Sequence, residues 1–99
     1  MLYVSSISAD RWIWIAGEDS FDEPSEFVEF VKEYQAHLSG EIYKVSNDMQ
    51  YGIDNDPLNL IFQWDSNFGI TVIVPEETDI STAENALREI CNKLNQKKN

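Results

Sequence analysis

The stretch Leu58–Val74 reads LNLIFQWDSNFGITVIV and decides the fold. Its two ends are rich in β-branched and aromatic residues, and the segment Ser66–Phe68 between them is typical of a turn, so the stretch predicts a β-hairpin. Side chains alternate between the two faces of a strand. The apolar face therefore holds Leu58, Leu60, Phe62 and Trp64 from the first strand, with Ile70, Val72 and Val74 from the second.

An isolated hairpin is marginally stable in water, so other parts of the chain must cover its apolar face. The chain has 99 residues, of which 42% are hydrophobic, and this predicts a single domain over residues 1–99 with an adequate core. Further strands are predicted at Leu2–Ile7, Arg11–Ala16 and Glu41–Val45. The first two are expected to pair as a hairpin, and the second is apolar on both faces, as a central strand is.

Two amphipathic helices are predicted. The first has Asp22 as its N-cap and Pro24 in its first turn, and it ends at Gly40. The second has Ser81 as its N-cap and Glu84 three residues later, as in a capping box. Their apolar stripes are Phe27, Val31, Tyr34 and Leu38 in the first helix, and Ala83, Leu87, Ile90, Cys91 and Leu94 in the second. Glu26, Glu29 and Glu33 are expected on the opposite side of the first helix.

Residues 46–57 are predicted to be a long polar loop. The order of elements is then β-β-α-β-β-β-α. This order predicts an α+β fold, a two-layer sandwich with a mainly antiparallel five-stranded sheet and two helices on one face.

Charge is the strongest compositional feature. Eighteen acidic residues oppose seven basic ones, for a net charge of -11. Such a chain repels nucleic acid and anionic lipid and attracts a basic partner, although acidity also serves simply to keep a protein soluble. The single cysteine, Cys91, cannot form an internal disulfide, and this favours the cytoplasm.

No pattern of catalytic residues appears, so the sequence predicts neither an enzyme nor a bound cofactor or metal. His37, the only histidine, is expected to be a polar residue near the end of a helix, and Cys91 a buried thiol. The acidic cluster Asp54-Asn55-Asp56 lacks the glycine and the final glutamate of a calcium loop. An enzyme that uses carboxylates ranks last among the alternatives.

Aromatic residues occur on the predicted strands at Tyr3, Trp12, Trp14 and Tyr43. Some of them must lie on the sheet face away from the helices. They indicate either a partly covered sheet or an exposed patch that binds protein, whether another copy or a different partner.

In general build, the small acidic chain without a catalytic motif resembles the immunity proteins of bacterial toxin systems, including those of contact-dependent growth inhibition. The resemblance rests on no motif, so it assigns no role to any residue. It implies a protein that binds and neutralises a basic partner, such as a toxin domain with nuclease activity. The alternative is a self-associating adaptor or regulatory module, for example a homodimer formed through a strand edge.

The acidic segment 18–33 and the loop 48–56 together hold ten of the eighteen acids, and the loop also carries apolar side chains. Acids steer the encounter with a basic partner, and apolar anchors hold the complex. The predicted partner-binding residues are Glu18, Asp19, Asp22, Glu23, Glu26, Asp48, Met49, Tyr51, Asp54 and Asp56.

Overall fold

The structure is a computed structural model that describes residues 1–17, 24–46 and 49–97. The elements are the strands β1 (Tyr3–Ile7) and β2 (Trp12–Ala16), the helix α1 (Pro24–Leu38), the strands β3 (Glu41–Ser46), β4 (Gln50–Asp54), β5 (Ile61–Asp65) and β6 (Gly69–Ile73), and the helix α2 (Ile80–Lys97).

The six strands form one sheet in the order β1-β2-β6-β5-β4-β3, and every neighbouring pair is antiparallel. Both helices cover the same face of this sheet. The predicted α+β two-layer sandwich is therefore confirmed, with six strands where the sequence predicted five.

The central hairpin is formed by β5 and β6, as the sequence predicted. Phe62 lies opposite Val72, and Trp64 lies opposite Ile70. Phe62, Val72 and Ile70 are fully buried, and Trp64 packs against the same core. The predicted apolar face is therefore the one that the helices cover.

The sixth strand, β4, lies within residues 46–57, which were predicted to be a loop. It pairs with β3 on one side and with β5 on the other. Its sequence, QYGID, is partly polar and contains a glycine, so neither alternation nor propensity indicates a strand. The two neighbouring strands supply its hydrogen-bond partners, and this tertiary context overrides the local signal.

Helix α1 buries Phe27, Val31 and Tyr34 of the predicted stripe and also Phe30, which was not in it, whereas Leu38 is half-buried. Glu26 differs from expectation because it is only 6% exposed, whereas Glu29 is exposed. Since residues 18–23 lie outside the described part of the chain, the predicted Asp22 cap does too.

The helix is followed by two residues with positive φ, Ser39 at 68° and Gly40 at 115°. A side chain at Gly40 would collide with the carbonyl oxygen of Asp54. The glycine therefore allows the chain to turn from α1 into β3 close beside β4.

Helix α2 buries Ala83, Leu87, Ile90, Cys91 and Leu94, as predicted. Its N-cap is Asp79 and not Ser81, so the predicted capping box is wrong. The Asp79 Oδ2 accepts hydrogen bonds from the backbone N of Thr82 at 3.0 Å and from its hydroxyl at 2.8 Å. Glu84 instead pairs with Arg88, with 2.7 Å between Oε2 and Nη2. Asp79, two residues upstream of Ser81, is also of a residue type that commonly caps helices.

We expect Asp79→Ala to lower the denaturant midpoint, because it leaves the Thr82 N–H without its acceptor. Ser81→Ala is the matched control, with an expected change within about 0.5 kcal/mol. The bonds from Thr82 lower the pKa of Asp79. Since the folded pKa lies below the unfolded one, this contribution is complete above the ordinary aspartate value of 3.8 and is lost as the pH falls below it. Equal midpoints for the two variants at neutral pH would contradict the assignment.

Candidate functional site: the open sheet face

The sheet face opposite the helices is not covered by any described element, and we call it the open face. A row of directly opposed residues crosses five strands of it. In order, the row is Trp12, Ile73, Ile61, Gly52 and Tyr43. Because neighbouring strands lie about 4.8 Å apart, the row is about 19 Å long. The open face therefore presents a continuous apolar strip across most of the sheet.

At the β2 end of this strip, aromatic rings form a cluster. The ring centroids of Trp12 and Trp14 are 6.3 Å apart, and Phe68 meets Trp14 edge to face at 5.5 Å. Phe68 is 55% exposed, whereas both tryptophans are half-buried. Tyr3, also 55% exposed, lies opposite Ala16 on the same face. Trp and Tyr are enriched in the anchors of protein interfaces, because they combine a large apolar area with a polar group.

At the β3 end of the strip, Tyr43 lies over Gly52. A Cβ at Gly52 would be only 2.5 Å from the Tyr43 ring atoms. The glycine thus makes room for the aromatic ring on the sheet, and Tyr43 stays 48% exposed. A larger residue at position 52 would push the ring away from the strip.

The charged residues at described strand positions of the open face are all acidic: Glu41, Asp54 and Asp65. Glu41 and Asp54 lie directly opposite each other in the β3–β4 pair. Like charges in directly opposed positions repel and destabilise a sheet. Arg11 does not offset this repulsion, because it lies beside β2, three strands away from β4, where its guanidinium donates to the carbonyl oxygens of Pro75 and Thr78. A basic partner would relieve the repulsion between the two carboxylates.

Of the predicted partner-binding residues that the structure describes, only Asp54 lies exposed on the open face. Met49 and Tyr51 pack against the core on the helix side, with the Tyr51 ring 5.8 Å from that of Phe27. Glu26 and Asp56 are buried, so they cannot present charge to a partner. Glu26 and Asp56 are therefore corrections to the predicted surface, whereas Met49 and Tyr51 are half-buried on the helix side and stay predictions. The remaining five, Glu18, Asp19, Asp22, Glu23 and Asp48, lie outside the described residues and stay predictions.

Asp56 has a structural role that the sequence did not reveal. Its Oδ1 accepts hydrogen bonds from the Tyr34 hydroxyl at 2.9 Å and from the Leu58 N at 3.0 Å, and its Oδ2 accepts one from the Leu60 N at 3.0 Å. The carboxylate therefore joins α1 to the turn between β4 and β5. Burial and the neighbouring Asp56 charge raise the pKa of Tyr34, so the phenol stays protonated.

His37 and Cys91 behave as predicted for structural residues. The His37 Nδ1 lies 2.9 Å from the Lys93 Nζ and its Nε2 lies 3.5 Å from the Glu89 carboxylate, so the ring connects α1 with α2. Cys91 is 2% exposed, and burial raises its pKa to about 12. A thiol in this state is a poor nucleophile.

Within residues 1–17, 24–46 and 49–97, no three His, Cys, Asp or Glu side chains come together as metal ligands would. Neither described helix combines the length and the apolar character that crossing a bilayer requires. The chemically distinctive surface of the described residues is thus the open face, with an apolar strip and only acidic charges.

Comparison of the chain with protein-family models, with curated proteins and with solved structures found no match in any of the three.

Proposed function

We propose that this protein binds a basic protein partner and neutralises it, in the manner of an immunity protein that blocks a bacterial toxin domain such as a nuclease. The observation that carries the proposal is the open face. It combines an uncovered apolar strip with Glu41, Asp54 and Asp65 and with no basic residue at its described strand positions. Aromatic anchors would hold the partner, and the acids would select its charge and speed its association.

The charge of the whole chain supports a partner of a different kind over a second copy. Each chain carries a net charge of -11, so two copies repel each other. The same negative charge attracts a basic protein, most strongly beside the opposed carboxylates Glu41 and Asp54. A basic active-site cleft is positively charged, so this acidic surface would attract the cleft and occlude it.

A photo-cross-linking residue at position 73 tests the proposal in cells of the native host. Ile73 lies within the apolar strip, whereas Ala36, an exposed residue of α1, is the matched control position. We expect position 73, and not position 36, to capture one basic protein in stoichiometric amount. The isolated partner should then lose its activity when this protein is added. Capture of further copies of the same chain would support the self-associating adaptor instead.

With that partner in hand, Phe68→Ala should separate binding from stability. The Phe68 ring is more than half exposed, so its removal should leave the denaturant midpoint nearly unchanged. Loss of an interface anchor should weaken partner binding by about 2 kcal/mol or more, which is about thirtyfold in Kd, mainly through faster dissociation. Asn67→Ala, at the neighbouring exposed turn position, is the control. If surface plasmon resonance gives equal affinities of the two variants for the partner, Phe68 is not an anchor of the interface.

A further inference from the structure

The outer edge of β3 offers a second feature that the open face does not explain. Among the described residues, β3 is the last strand of the sheet and pairs only with β4, so backbone groups on its outer side have no strand partner there. Tyr43, Lys44 and Val45 are all exposed. Six residues of strand give about 20 Å of edge, with one shift in the register of the β3–β4 pair between Lys44 and Ser46. Such an edge is a template for an added strand.

Beside this edge, on the helix side of the sheet, lies an apolar groove of about 200 Å³. It is lined by Phe27, Val28, Val31 and Lys32 of α1, Ile42 of β3 and Tyr51 of β4. Ile42 lies opposite Ile53 on the helix side, so a strand added to β3 would place every second side chain on the same side. An apolar side chain opposite Ile42 would then enter the groove.

The two faces of β3 would contact different types of side chain on an added strand. On the open face, the position opposite Glu41 would lie beside the Glu41 carboxylate, with Asp54 one strand further away, and the next open-face position would lie beside the Tyr43 ring. A lysine or arginine suits both, through charge pairing and through contact of the cation with the ring. On the helix side, the groove takes an apolar residue.

We propose that an extended segment of the protein partner, in which basic and apolar residues alternate, adds to β3 as a seventh strand. Its basic side chains lie on the open face against Glu41 and Tyr43, and its apolar side chains enter the groove between α1 and β3. This inference rests on the proposed function for the kind of partner and specifies how that partner is held. A second copy fits less well, because the open-face positions Glu41 and Tyr43 of β3 include no base and its lysine, Lys44, lies on the helix side.

The probe is a nine-residue peptide of alternating lysine and valine, titrated at physiological salt by isothermal calorimetry. We expect saturable one-to-one binding and new hydrogen-exchange protection of β3 amides. A peptide of the same composition in block order should bind about tenfold or more weakly, since it cannot bury a valine in the groove while holding lysine on the open face. Equal affinity of the two peptides would show general charge attraction and overturn the proposal.

Backbone methylation gives the sharpest discrimination. Two further versions of the peptide carry N-methyl groups on either the odd or the even residues, which blocks one edge of the strand or the other. Strand addition uses only one edge, so one version should lose binding and the other should keep it. If both versions bind as the parent does, or if the parent does not bind, strand addition is refuted.

Variants of the protein locate the bound peptide. Glu41→Gln should weaken binding about two- to fivefold, as expected for one exposed ion pair. Val28→Lys places a charge at the groove and should abolish binding, whereas Ala36→Lys, at an exposed site elsewhere on the same helix, should not weaken it more than twofold. Circular dichroism must show that all three remain folded. If the Val28→Lys and Ala36→Lys variants bind the peptide with equal affinity, the groove is not part of the binding site.

The peptide titration is independent of the cross-linking experiment at position 73. If the peptide fails while position 73 captures a basic protein that this chain inhibits, the proposed function stands and the partner does not use β3. If sedimentation shows a dimer that the peptide dissociates, the edge belongs to a second copy, and the proposal for β3 is wrong.

Discussion

Replacing Phe62 with alanine is expected to lower the free energy of unfolding by about 3–5 kcal/mol, a large part of the 5–15 kcal/mol that is typical of a small domain. The Phe62 ring has no exposed surface. It meets the Tyr34 ring edge to face, with centroids 4.8 Å apart, and lies 6.3 Å from the Phe30 ring. The substitution opens a cavity where the central hairpin meets α1, and the helix cannot collapse into it without leaving the rest of the sheet.

Ile61→Ala, one residue earlier, is the control for Phe62→Ala. Ile61 lies on the open face and is half-buried, so its truncation should cost clearly less. Phe62→Leu keeps part of the volume and should fall between the two, so the series remains measurable even if Phe62→Ala does not fold. Urea titration followed by circular dichroism gives all three values. A larger loss for Ile61→Ala than for Phe62→Ala would mean that the buried face is the other one.

The second large effect is expected for Asp56→Ala, at about 3 kcal/mol or more. The substitution leaves three donors without their acceptor: the Tyr34 hydroxyl and the backbone N–H groups of Leu58 and Leu60. Each donor deprived of its acceptor in a buried site costs about 1–3 kcal/mol. The turn between β4 and β5 would also lose its connection to α1.

Asp54→Ala is the matched control, because the same type of residue is exposed there on the open face, opposite Glu41. Its removal should leave stability unchanged or slightly raised, since a repulsion disappears. Tyr34→Phe removes one of the three hydrogen bonds to Asp56 with little change in shape and should cost less than Asp56→Ala. Thermal unfolding of the three variants checks this order. If the Asp54 and Asp56 variants have the same midpoint, the hydrogen bonds of Asp56 do not stabilise the fold.

The sequence by itself determined the features that depend on periodicity. The alternation in Leu58–Val74 predicted both strands of the central hairpin and the face that is buried, because successive side chains of a strand must point to opposite sides. The helical stripes predicted the buried residues of α1 and α2 in the same way, except for Glu26 and Phe30. These patterns are local, and a single core needs them whichever way the chain is connected.

Features that depend on partners distant in the sequence needed the tertiary structure. Residues 50–54 are a strand only because β3 and β5 lie on either side of them, and no local pattern records that. From the sequence, Asp56 is expected to be a surface acid like Asp54. In the structure it is buried and accepts a hydrogen bond from Tyr34, twenty-two residues earlier. The apolar strip likewise appears only when the register brings Trp12, Ile73 and Tyr43 into one row, since no two of these residues are near each other in the chain.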